Sequence, residues 1–260
     1  MREGLNESVL LRLTHEAMIG MYGCGLRYAA RSIQGASMVL SGENVADLNY
    51  LVANSAEAEA VEGFRSFVRY ADERELPFCT IVGASVADEL SGVCENLGLI
   101  HATQWPLMVC PGEAAQALPT EGVTVRAVNG DDDVAAMSRA LADAFSMPAE
   151  SIARALPLRL YDSPAVDTYV AEYEGDVLSS VTVTRHGDVV GIWAMGTIAA
   201  AQGKGIGRAL LSTVMAAERE AGAEAFFLGA TPAGRPLYER LGYRTVFSAE
   251  VWVRGETNQA

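Results

Sequence analysis

Apolar residues recur at helical spacing in some windows and run continuously in others, and the alternation of the two patterns outlines the chain. Leu5, Val9, Leu13 and Ala17 recur every fourth residue, which predicts a helix over 5–19. GASMVLSGE (35–43) and ADLNYLVA (46–53) read as strands. Residues 56–75 form an amphipathic helical pattern with Val61, Phe64, Val68 and Ala71 on one face, closed by Pro77. FCTIVG (78–83) reads as a buried strand, 86–97 as a helix, and ATQWPLMVC as a strand broken by Pro106.

Residues 111–122, PGEAAQALPTEG, carry two prolines and two glycines with little apolar period, which predicts a linker. The expected domains are therefore 1–112 and 123–260, joined by 113–122. The second half opens with the strand TVRAV. A helix over 131–145 follows, led by three aspartates suited to the positive end of a helix. A helical piece over 149–160 comes after Pro148. TYVAEYEG, DVLSSVTVTRHG and DVVGIWAMGTIA then read as three strands joined by tight turns at Gly175 and Gly187. A helix over 205–221 presents Ile206, Leu210, Leu211 and Val214 on one face. AFFLGA (225–230) reads as a buried strand, 233–241 as a short helix, and RTVFSAEVWV as a closing strand.

Composition narrows the function classes. Half of the 260 residues are hydrophobic, enough for a sizeable core, and the net charge is −14. A chain this acidic is a poor partner for a nucleic-acid backbone, and a solvated acidic surface accounts for the charge. The four cysteines form no CxxC pair and the three histidines are scattered, so no metal site is expected and the thiols read as buried and reduced. The N-terminus lacks the continuous apolar stretch of a signal peptide, and no window reaches ~18 apolar residues. The cytoplasm is the expected compartment.

The chemistry concentrates in TIAAAQGKGIGR, residues 197–208. A glycine cluster ahead of a helix suits an anion, because the first amides of a helix are unpaired and its dipole is positive there. Lys204 and Arg208 add charge. A dinucleotide fingerprint fails at Arg208, and a P-loop is absent. The pattern that fits is Q-x-x-G-x-G, with Gln202, Gly205 and Gly207. Together with the order of elements over 123–254 and the segment ATPAGRPLYERLGYRTV (230–246), the sequence resembles the GNAT superfamily of acyl-CoA-dependent N-acetyltransferases. The resemblance implies an α+β fold, a mostly antiparallel twisted sheet flanked by helices. It implies acetyl-CoA as co-substrate, its pyrophosphate on Gly203, Lys204, Gly205, Ile206, Gly207 and Arg208, with Gln202 at the loop's start. It also implies that Met195, Thr197 and Ile198 lie along the pantetheine arm, that Thr231 stands beside the cofactor, and that Tyr238 is the general acid for the leaving thiolate. Departures are Thr231 where the family often has Asn, Gly234 where it often has Ala, and a strand 189–198 with no acidic residue. Glu172 or a water chain is then the expected base.

The halves resemble each other. Arg74-Glu75 aligns with Arg219-Glu220, Gly83-Ala84 with Gly229-Ala230, and CENLGL (94–99) with YERLGY (238–243), at an offset of 144–146 residues. This implies two similar units, the first degenerate: Glu57 and Glu59 stand in the place of the glycine loop, Cys94 stands where Tyr238 does, and the early strand and full hairpin set are missing. The function expected is acetyl transfer to a primary amine, of a small molecule ahead of a protein lysine or N-terminus. Asp143, Glu150 and Asp162 hint at a cationic acceptor. The alternatives are an acyl-CoA-binding sensor without turnover, and a homodimeric scaffold using the strand at 244–253 as its interface.

Overall fold

The helical periods of the sequence reappear with shifted ends in a computed structural model, which describes residues 4–25, 27–158, 160 and 163–255. The chain divides into two units. One runs from Met108 to Arg244; the other takes the described chain before Met108 and after Arg244.

In the unit that holds the N-terminal half, helix α1 (Glu7–Tyr22) begins two residues later than the apolar period, because Asn6 caps it by accepting the Val9 N–H at 3.1 Å. Strand β1 (Ala29–Ile33) pairs antiparallel with β2 (Ala36–Leu40), and β2 pairs antiparallel with β3 (Asn49–Ala53). The hairpin set is thus complete, which corrects the expectation that it was missing; among the described residues a leading strand and one of the two early helices lack a counterpart. Residues 46–48 form a 3-10 turn and shorten the expected strand. Asn49 is fully buried and stitches this turn, donating to the carbonyls of Glu43, Val45 and Pro77. Helix α2 (Ala58–Asp72) crosses to β4 (Phe78–Val82), which runs parallel to β3. Helix α3 (Ala87–Asn96) leads into β5 (Ile100–Pro111). This strand passes through Pro106 without the expected break, since proline's fixed φ is compatible with extended backbone and costs one ladder donor. Phe64, Phe78, Leu51 and Cys94 fill the core on the α2 face.

In the other unit, β6 (Val123–Ala127) precedes helices α4 (Asp131–Phe145) and α5 (Ala149–Ala155). The second helix ends sooner than expected because the residue before Pro157 is pushed out of helical backbone; Asp162 lies outside the described residues. Strands β7 (Val166–Tyr173), β8 (Asp176–His186) and β9 (Val189–Thr197) run up and down, as the turn signals predict. Helix α6 (Ile206–Glu220) crosses to β10 (Ala225–Gly229), parallel to β9, and α7 (Arg235–Arg240) follows. Val183, Ile192, Leu210, Phe226 and Tyr238 share the α6-side core. The segment after a 3-10 turn at 112–114 is pinned along α6: Arg219 donates to the Ala115 carbonyl (2.7 Å), the Leu118 N–H to Ser212 Oγ (3.0 Å), and Thr120 Oγ1 to the Gly205 carbonyl (3.3 Å).

The last strand, β11 (Arg244–Arg254), pairs antiparallel with β4, with Glu250 opposite Val82 and Arg254 opposite Phe78. Beyond its first residue it belongs to the unit of the N-terminal half, while residues 108–111 of β5 belong to the other. The second half thus gives nearly all of its final strand to the unit of the first, and the first half gives only the last four residues of β5 in return. Within its unit β11 lies between β4 and β5 and has no free edge to offer a partner, which removes that edge from the scaffold reading. Glu250 Oε2 meets His101 Nε2 at 2.6 Å, and Glu250 Oε1 accepts from Gln104 at 3.0 Å. Among the described residues, no helix is long and apolar enough to cross a membrane.

Candidate active site

The site begins with a defect in a ladder. Opposite β8, Ser180 pairs with Gly196 and Thr182 with Trp193, so Ala194 and Met195 together face the single residue Val181. This is a bulge, and Ala194 takes a left-handed φ of 45° to make it. A bulged strand bends. Pairing between β9 and β10 covers only Val189 to Gly191 against Ala225 to Phe227, and the rest of β9 parts from its neighbour. The gap is the floor of a cleft of about 590 Å³, a size suited to a small-molecule site.

The glycine loop closes one end of this cleft. Gly203 (φ 75°) and Gly205 (φ 81°) turn the chain in left-handed backbone that other residues enter at a cost of about 1 kcal/mol. Gly207 is required for a different reason: a Cβ there would stand 2.8 Å from Thr197 Oγ1 and 3.1 Å from Met195 Cε, so its absence lets the first turn of α6 meet the end of β9. The first helical acceptor is the Gly205 carbonyl, bonded by Ala209, which leaves the preceding amides of that turn without an intrahelical partner. The first turn carries no acidic residue. Lys204 and Arg208 are exposed beside it, and neither meets a carboxylate among the described residues. In a chain of net charge −14, unpaired cations on a helix's positive end define an anion seat.

The structure brings Met195, Thr197, Gln202, Thr231 and Tyr238 to the walls of the same cleft as the loop residues 203–208. Ile198 packs instead into the core beneath, its N–H donating to the Leu178 carbonyl at 3.0 Å. Tyr238 stands edge-on to Tyr243, with ring centroids 5.9 Å apart, and burial pushes its hydroxyl pKa up to about 12. Gly234 makes room for it, since a Cβ there would fall 2.8 Å from the tyrosine ring. Trp193 turns away into the other face of the sheet, donating to Thr184 Oγ1 at 2.8 Å and packing edge-on to Phe227.

The acidic candidates are engaged elsewhere. Glu172 accepts from Arg126 at 2.6 Å, and Asp143 accepts the Ala199 N–H at 2.8 Å. Glu150 is exposed in the first turn of α5. No acidic side chain lines the cleft among the described residues. Sequence reasoning missed several lining residues, Phe145 and Arg240 among them. Phe145 ends an amphipathic helix, where an aromatic gives no signal beyond packing; the signal for Arg240 is a cation two residues past Tyr238.

Known proteins share this fold. Residues 164–245 match the family model for the acetyltransferase (GNAT) domain. A GCN5-related N-acetyltransferase from Kribbella flavida superposes with a TM-score of 0.72 at 16% identity, covering 97% of both chains. One from Sphaerobacter thermophilus gives 0.63 at 16% identity over 87% of this chain and 78% of that one. A tandem GNAT protein from the clavulanic acid biosynthesis pathway gives 0.58 at 10% identity over 92% of this chain and 88% of that one. A search of the curated proteins finds no match. The fold is that of a GNAT protein with two similar units in one chain.

Proposed function

We propose that the protein is an N-acetyltransferase that moves the acetyl group of acetyl-CoA to a primary amine of a small molecule. One observation carries the reading: the parted strands, the unpaired amides of α6 and Tyr238 converge on a single cleft. Acetyl-CoA supplies an activated acyl carbon and a thiolate leaving group. The loop amides with Lys204 and Arg208 bind the pyrophosphate, and β9 beyond Gly191 orients the pantetheine arm, so that the thioester is held for direct attack. The amine nitrogen forms the new C–N bond as the C–S bond breaks. Tyr238, which burial keeps protonated at neutral pH, donates to the departing sulfur, and the proton shed by nitrogen balances the transfer. With no acidic side chain on the cleft wall among the described residues, the acceptor enters as the free amine.

Calorimetric titration with acetyl-CoA, followed by turnover with a panel of amines, tests this. Binding at one per chain with turnover of at least one amine supports it. Binding without turnover favours the sensor reading, whose motive is the same missing carboxylate, and absence of binding sinks both.

A further inference from the structure

The cleft does not end at the glycine loop. Arg240, the last residue of α7, lines it and also lines a second cavity of about 110 Å³. That cavity is walled by Gln116 and Leu118 of the pinned segment, by Ser212 and Met215 of α6, and by Leu241. It is several times the roughly 30 Å³ of a water molecule and has the room of a flat ring. The polar atoms of the wall are partly spent: Ser212 Oγ accepts the Leu118 N–H and donates to the Ala209 carbonyl. Leu118 is held there by its own backbone while its side chain stays 39% exposed, an apolar surface presented at a fixed position.

The charge of Arg240 points the same way. Arg126, Arg185, Arg235 and Arg254 each grip a carboxylate. Arg240 is exposed and grips none among the described residues. A guanidinium presents a planar fork that matches a phosphate dianion. Beyond its pyrophosphate, coenzyme A continues into a ribose that carries a 3′-phosphate and adenine. The cleft that holds the loop also holds this uncommitted guanidinium, and a slot with Leu118, Met215 and Leu241 in its walls adjoins it.

Resting on the acyl-CoA reading above, we infer that Arg240 receives the 3′-phosphate and that the slot behind it takes the adenine. Arg240 then makes the site select coenzyme A over its 3′-dephospho form. The segment 114–118 is part of the nucleotide seat.

The test is a calorimetric comparison of coenzyme A with 3′-dephospho-coenzyme A, on the intact protein and on Arg240→Gln. The intact protein is expected to favour coenzyme A by about tenfold, the scale of one charge-assisted contact. Arg240→Gln is expected to bring coenzyme A down to the dephospho value and to leave dephospho-coenzyme A unchanged. Leu118→Asp is expected to weaken both nucleotides alike and to spare 4′-phosphopantetheine. If the intact protein binds the two forms equally, or if Arg240→Gln weakens both equally, the inference falls while the acyl-CoA reading stands. If neither form binds the intact protein, both fall.

Discussion

The two halves build the same crossover, strand–helix–parallel strand, and end it differently. In the second half β9 and β10 pair for three residues and then part. In the first, β3 and β4 stay paired to their last residues, Ala53 against Val82, and the Gly83 N–H adds a further bond to the Ala53 carbonyl at 2.9 Å. A bulge separates these outcomes: β9 has one at Ala194, and β2–β3 pairs without interruption from Ala36 to Leu40. The helix ends differ to match. Glu57 occupies the N-cap position of α2 and Glu59 its first turn, so two carboxylates stand at the positive helix end that α6 leaves for a ligand. Glu7 Oε1 accepts from both the backbone N–H and the hydroxyl of Ser85, filling ground beside Gly83. Cys94, in the place of Tyr238, is sealed in the core with its thiol pKa pushed up to about 12. One architecture thus yields parted or zipped crossover strands according to whether one ladder is broken.

The comparison can be broken most directly by counting. Acetyl-CoA is expected to bind at one per chain, and Gly205→Glu to weaken it at least about 100-fold, by placing both a side chain in left-handed backbone and a carboxylate on the anion seat. Replacing Glu57 and Glu59 by Gly and Lys is expected to leave the stoichiometry at one, because the zipped strands remain; a second site by calorimetry would overturn the role given to the bulge. Next in size, Tyr238→Phe is expected to lower kcat by about 100-fold at unchanged acetyl-CoA affinity, measured by steady-state kinetics beside calorimetry. Cys94→Ser is expected to leave both unchanged.

The pH profile sharpens the same contrast. The acid must stay protonated and its pKa is about 12, so kcat/KM is expected to rise through the acceptor amine's own pKa and to show no fall below about pH 11. A fall near pH 9 would point to another acid. The smallest effect concerns the bulge itself. Ala194→Gly relieves the left-handed strain, less the chain freedom that glycine adds, and is expected to raise stability by up to about 1 kcal/mol. Thermal unfolding checks this as a shift of a few degrees.

Much of this contrast was legible in the chain. The helices over 56–75, 131–145 and 205–221 follow from their apolar stripes, and the loop from three glycines ahead of one of them. The illegible parts have physical causes. Strand β1 is an outer strand with three exposed residues, so AARSI shows no alternation to read. The bulge hides because Ala194 is an ordinary residue whose φ is set by the ladder around it, not by its own preference. The fate of Glu172 depends on Arg126, distant in sequence. Which strand pairs with β4 is equally unreadable, since β4 and β11 lie more than 160 residues apart and either closing strand has the same apolar character.

That last pairing has a consequence for how the protein is made. A nascent chain emerges from the ribosome N-terminus first, yet β4 waits for residues 250–254 to complete its ladder. The first half cannot finish while the second is still being synthesised, and a transcript cut anywhere before residue 244 leaves an open strand edge at β4. The half that carries Glu57 and the half with the cleft therefore complete their folding together, once residues 250–254 have emerged.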